Sequence, residues 1–104
     1  MADFERESRK TEMAVLVHNQ GADWNQELYQ ATFDRTTDRT NPPAGLIAHF
    51  GAPGEAGGWQ VIDVWESEDA WRRFMEEAVY PAAQELGAPP FDTKMVEIYN
   101  SLIP

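Results

Sequence analysis

The sequence predicts an α+β domain of the ferredoxin-like kind, with element order β-α-β-β-α-β, a four-stranded antiparallel sheet and both helices on one face. Three observations carry this. Residues 12–19 are apolar on both faces of a strand, which places that strand inside the sheet. A glycine-rich connection, Gly51-Ala52-Pro53-Gly54-Glu55-Ala56-Gly57-Gly58, joins two strands as a hairpin. Finally, the stretch from Trp59 to Trp71 changes period at Ser67. Before Ser67, Trp59, Val61, Asp63 and Trp65 share one strand face, with Gln60, Ile62, Val64 and Glu66 on the other. After it, Trp71, Phe74, Met75, Ala78, Val79, Ala82, Ala83 and Leu86 follow helical spacing.

Taken in order, residues 1–11 are charged and nearly devoid of apolar groups, and they read as a mobile tail ahead of one domain at 12–104. The first strand covers 12–19 and turns at Gln20-Gly21-Ala22. Asp23 is placed to cap a helix over 24–36, with Gln26 as its capping-box partner. Trp24, Leu28, Ala31 and Thr32 form the inner stripe of that helix, flanked by Tyr29 and Phe33. Pro42 biases Asn41 out of the helical region, and the second strand follows at 45–51. The third strand starts at Trp59. Ser67 caps the second helix, with Glu68 and Asp69 where the macrodipole favours acids. That helix should run to Leu86, stop at Gly87 and be kinked or divided near Val79-Tyr80 by Pro81. Residues 92–100 are the last strand.

Composition removes several functions. Eight Lys+Arg against 18 Asp+Glu give a net charge of −10, which repels phosphate backbones and anionic lipid. Nucleic acid and membrane surfaces are therefore not expected partners. With no cysteine, disulfides, thiolate nucleophiles and Cys-ligated Fe–S clusters are excluded. No apolar run approaches the ~20 residues of a membrane span, and no signal-peptide core is present, so a cytoplasmic location is expected. Two histidines far apart, without a His-x-His or Glu-x-x-His element, indicate no metal site. No serine sits in a Gly-x-Ser-x-Gly elbow.

A sheet with helices on one side has a second face to account for. Leu46, Ala48, Phe50, Ile62, Val64 and one face of the first strand would make that face largely apolar. An exposed apolar face predicts a partner, and a twofold homodimer burying sheet against sheet is the simplest.

His49 and Asp63 are the strongest candidates for chemistry. A hairpin pairing in which residue numbers sum to 112 sets them opposite each other, side chains on one face. A carboxylate beside an imidazole fixes its tautomer and supports the protonated ring, which makes an acid–base unit. The bland alternative is a structural His–Asp hydrogen bond. Trp59 and Trp65 flank Asp63 and offer a flat wall to an aromatic ligand, or plain core packing. Phe74 and Met75 lie on the inner stripe of the second helix, where such residues are usually core. Tyr80, beside Pro81, is expected to face space opened by the kink. His18 and Asn19 end the first strand and Asn100 lies in the last, beside it; strand ends commonly border pockets, with a capping or surface role as the bland alternative, and Tyr29 can face the pocket from the first helix or simply pack.

The topology, and above all Val64-Trp65-Glu66-Ser67-Glu68-Asp69-Ala70-Trp71 followed by Phe74, resembles the dimeric α+β barrel superfamily. Within it, the antibiotic-biosynthesis-monooxygenase-like proteins are the most similar group. Gly45-Leu46-Ile47, His49, Gly58-Trp59, Asp63 and Asn100 also look like small uncharacterised actinobacterial members. The resemblance implies a homodimer with a small-molecule pocket between sheet and helices. Activities in the superfamily include cofactor-free oxygenation, haem degradation, polyketide cyclisation and chlorite dismutation. The iron-ligating histidine of haem-degrading members would fall at Phe74 or Met75, and neither replaces it well.

Together these readings imply a small-molecule tailoring enzyme of bacterial secondary metabolism. The leading expectation is a cofactor-independent monooxygenase acting on an aromatic or polyketide-like substrate. His49 and Asp63 would be catalytic, and Trp59, Trp65, Phe74, Tyr80, Asn100 and Tyr29 would bind substrate. No cofactor or metal is expected. The alternatives are a cofactor-free polyketide cyclase or isomerase using the same pair, and a non-catalytic ligand-binding dimer.

Overall fold

Apolar alternation, one proline and two glycines account for most of the architecture. The computed structural model describes residues 13–104; the tail expected at 1–11 lies outside the described residues. The elements are β1 (Val15–Gly21), α1 (Gln26–Thr36), β2 (Leu46–Pro53), β3 (Trp59–Trp65), α2 (Glu68–Phe74), a π-helical turn (Met75–Val79), α3 (Tyr80–Leu86) and β4 (Asp92–Glu97). The strands form one antiparallel sheet in the order β2-β3-β1-β4. This is the predicted ferredoxin-like arrangement, and β1, the doubly apolar strand, is internal.

Buried Val15, Val17 and Trp65 form the core on the helix side of the sheet, with Leu46, Ala70, Trp71, Phe74 and Met95 packed against them. Trp65 is 1 % exposed, and truncating it to alanine is expected to cost roughly 3–5 kcal/mol. Ser67 caps α2 as expected, its side chain accepting from the Ala70 N–H. Pro81 acts as anticipated: it has no N–H to donate, and the helix passes through a π turn just before it, where the Tyr80 N–H reaches the Met75 carbonyl. Gly87 ends α3 in the left-handed conformation, at φ 63°. Gly45, at φ 89°, also needs to be glycine, because a Cβ there would meet the Ala70 Cβ at 2.6 Å.

Four expectations are corrected. The cap of α1 is Asn25, which accepts from the Leu28 N–H, rather than Asp23. The Trp24 N–H turns back to the Gly21 carbonyl and its indole N–H is bound by the Pro89 carbonyl, so the helix cannot begin before residue 25. β2 runs on through Gly51 and Ala52 to Pro53, which its edge position tolerates. Leu46 does not join the open face of the sheet. A bulge between Leu46 and Ala48 breaks the alternation, and Leu46 sits across from Trp65 against the core. β4 stops at Glu97, because Glu97 pairs with Val15, the first residue of β1. One further bond, from the Ile98 N–H to the Ala14 carbonyl, closes the ladder, and Asn100 lies beyond the strand.

The open face carries exposed apolar side chains, with Phe50 63 % and Val96 60 % exposed, beside partly buried Leu16, Ala48, Ile62 and Val64. His18 lies there too, hydrogen-bonded to the Gln60 side chain at 3.0 Å.

Candidate functional site

β2 and β3 bring the central pair together. His49 is the register partner of Asp63, as the sum rule required. The His49 Nδ1 lies 2.6 Å from Asp63 Oδ1, and the Trp65 indole N–H donates to Asp63 Oδ2 at 3.2 Å. Asp63 is 5 % exposed, so its carboxylate is withdrawn from water and held by two donors. A carboxylate can only accept, so Nδ1 carries a proton, and in the neutral ring Nε2 then presents its lone pair.

α1 supplies the partner for that lone pair. The Tyr29 hydroxyl lies 2.6 Å from His49 Nε2, and the tautomer just assigned makes the phenol the donor. The result is a continuous chain, Tyr29–His49–Asp63–Trp65. The Tyr29 ring lies almost parallel to the imidazole, 8° between planes with centroids 5.9 Å apart, and tilts against Trp59 at 5.3 Å. Gly51 makes this possible. It is two residues from His49 on the same strand face, and a Cβ there would meet the Tyr29 ring at 2.6 Å. Sequence reasoning missed Gly51; the available signal was a glycine inside a strand, which marks a close approach.

Tyr29 has a displaced proton affinity. Burial and then the Asp63 charge push its phenol above the ordinary tyrosine value, and the Arg39 guanidinium pulls it partly back. At neutral pH the phenol therefore keeps its proton and its donor role.

These groups line a cleft of about 100 Å³ between sheet and helices. Its walls are aromatic and aliphatic, including Tyr29, Phe33, Trp59, Trp65, Phe74 and Met75. Phe33 packs on the imidazole at 5.4 Å and Phe74 on Trp65 at 5.4 Å. The Trp59 indole N–H is enclosed and has no acceptor among the described residues.

The structure thus brings His49, Asp63, Trp59, Trp65, Phe74 and Tyr29 to one cleft, with Asn19 at its border. It does not bring Tyr80 or Asn100 there. Tyr80 is 47 % exposed: Pro81 is accommodated by the π turn in the helix backbone, and Tyr80 is not among the residues that line the cleft. Asn100 is exposed past the end of β4. His18 is on the opposite face of the sheet from His49. Among the described residues no three His, Asp or Glu side chains cluster as a metal site would need, and no helix is long and apolar enough to cross a membrane.

No protein-family profile and no curated protein sequence matches the chain. Solved structures do. A point variant of SnoaB, a cofactor-independent oxygenase from Streptomyces nogalater, superposes with a TM-score of 0.62 at 18% identity, covering 88% of this chain and 97% of that one. The ActVA-Orf6 monooxygenase of Streptomyces coelicolor, in complex with nanaomycin D, gives 0.53 at 18% identity, over 90% and 94% of the two chains. A protein of unknown function from Nitrosomonas europaea gives 0.64 at 14% identity, over 91% and 97%. This chain has their fold. The likeness to antibiotic-biosynthesis-monooxygenase-like proteins therefore extends from the Trp65-Glu66-Ser67 corner to nearly the whole described chain, at identities that speak to fold alone.

Proposed function

We propose that the protein is a cofactor-independent monooxygenase of aromatic, polyketide-like substrates, acting as a homodimer joined through the open face of its sheet. The observation that supports this most is the hydrogen-bonded chain Tyr29–His49–Asp63–Trp65, set in a largely apolar, aromatic-walled cleft. Such a wall suits a planar ring system, and the single polar chain gives it one place to lose a proton.

A phenolic or quinol hydroxyl bound in the cleft donates to the Tyr29 oxygen. As its proton moves to Tyr29, the Tyr29 proton passes to His49 Nε2. The resulting imidazolium is held by Asp63, which stays a carboxylate. The substrate anion, now electron-rich, transfers electrons to O2, and a C–O bond forms at the activated ring carbon. That carbon gives up its C–H proton as the peroxide O–O bond breaks. One oxygen atom stays on carbon as a carbonyl and the other leaves as water, with O2 as the oxidant and the ring carbon oxidised. The enclosed Trp59 N–H, lacking an acceptor of its own, is the donor assigned to the substrate oxyanion. A donor placed there stabilises the charge as it develops.

The test is O2 uptake by purified protein with an anthrone or a naphthalene quinol. The expected result is one O2 consumed per carbonyl formed, slowed about 10²- to 10⁴-fold in His49→Ala. Ring closure without O2 consumption under anaerobic conditions would replace this reading with a cyclase. Tight ligand binding with no turnover in either assay would leave a binding dimer.

A further inference from the structure

Cations are scarce in a chain of net charge −10, and two of those in the described part are held in ion pairs. Arg35 pairs with Glu85 and Arg72 with Glu68. Arg73 shares the lining of an outer hollow with Glu77. Lys94 belongs to edge strand β4, across from His18 and away from the cleft. Arg39, like Arg73 and Lys94, makes no ion pair among the described residues, but it alone of these stands beside the cleft, its guanidinium carbon 5.0 Å from the centroid of the Phe33 ring. Phe33, with Thr36 and Thr37, lines the cleft and packs on the imidazole of His49.

The neighbouring acid makes no ion pair with this guanidinium. Asp38 Oδ1 accepts from both the backbone N–H and the hydroxyl of Thr40, at 2.9 and 2.6 Å. The Asn41 N–H closes the turn on the Asp38 carbonyl at 3.0 Å. These bonds hold the Asp38 carboxyl below the usual carboxylate range and within its own turn. The turn presents Arg39 over Phe33 as an exposed guanidinium without a carboxylate bound to it. It is near enough to the cleft for its field to reach the Tyr29 hydroxyl.

The cleft is thus polarised, with a buried carboxylate at its floor and a free guanidinium at its edge. A negative group on the ligand is repelled by Asp63 and attracted by Arg39; a hydroxyl that must give up a proton is favoured at the Tyr29 end. We infer that Arg39 is the specificity-determining residue of the cleft, receiving a carboxylate of an aromatic acid at the edge beside Phe33 and so turning the opposite end of the ring toward Tyr29 and His49. The inference names the substrate class for the site proposed above, and it concerns binding alone.

The test is calorimetric titration with a matched pair of probes, 2-naphthoate and uncharged 2-naphthamide. Wild-type protein is expected to prefer the acid, with affinity falling as salt rises. Arg39→Gln is expected to weaken the acid about 10-fold or more while leaving the amide unchanged, and Arg39→Lys to restore part of the difference. Equal affinity of the wild type for both probes, binding of neither, or equal weakening of both in Arg39→Gln overturns the inference. The last result would make Arg39 a support for Phe33. Charge-dependent binding without O2 uptake would sink the monooxygenase reading and leave this one standing.

Discussion

On the helix side of the sheet an aspartate is buried among aromatic rings; on the other side phenylalanine and valine face water. The same strands carry both, in alternate residues: Asp63 beside Ile62, His49 beside Phe50. Each face departs from the ordinary burial rule, in opposite directions, and each departure has its own physical resolution. Asp63 is tolerable because two N–H groups satisfy it and the His49 ring extends the chain to Tyr29. Phe50 and Val96 have no such compensation within the protomer, so only a second surface can cover them. A buried polar group with partners points to a site, and an exposed apolar group without them points to an interface.

The largest effect that would break this comparison comes from Asp63→Ala. Two donors, His49 Nδ1–H and Trp65 Nε1–H, are left enclosed, and a loss of about 3–5 kcal/mol is expected in denaturant unfolding. A loss under about 1 kcal/mol would show that the chain contributes little to the core. Phe50→Asp comes next. Placed on the open face, it is expected to turn the proposed dimer into monomers in sedimentation equilibrium while the far-ultraviolet circular dichroism of the protomer stays native. A dimer that survives this change places the partner surface elsewhere. The Gly51→Val change sharpens the helix side. Its side chain must displace the Tyr29 ring, so the stacked Tyr–His contact is lost and turnover should fall about 10-fold or more, with His49 and Asp63 still bonded.

The smallest effect is a pH slope. The Tyr29 phenol has a higher proton affinity folded than unfolded. Below the unfolded value of about 10 the proton is held in both states, so its contribution to stability is fully present. As pH rises past that value the unfolded chain releases the proton first, and stability falls until the folded phenol also ionises. Urea midpoints taken across that range should fall less steeply in Tyr29→Phe than in wild type.

Much of this was legible in the sequence because it depends on neighbours along a strand. The His49–Asp63 pairing follows from two-residue periodicity and one hairpin register, and the helix break follows from one proline. What was not legible depends on contacts between elements. Whether Tyr29 packs or bonds is settled by how α1 lies over β2, which no periodicity records. Tyr80 was misplaced because a backbone opening was taken for a side-chain direction. Asn100 was misplaced because the length of β4 is set by where β1 begins rather than by its own residues. Leu46 was misplaced because a bulge, invisible in composition, resets the alternation.

Gly51 and Tyr29 also make a prediction about sequences not yet compared. The ring of one fills the volume the other leaves empty, so the two positions cannot vary independently. A relative of this fold that carries any side chain at the position of Gly51 must have given up, or moved, the ring at the position of Tyr29. In such a relative a histidine at the position of His49 would lose its phenolic partner, and on the proposed reading two aligned columns would then separate chains that carry the relay from chains that lack it.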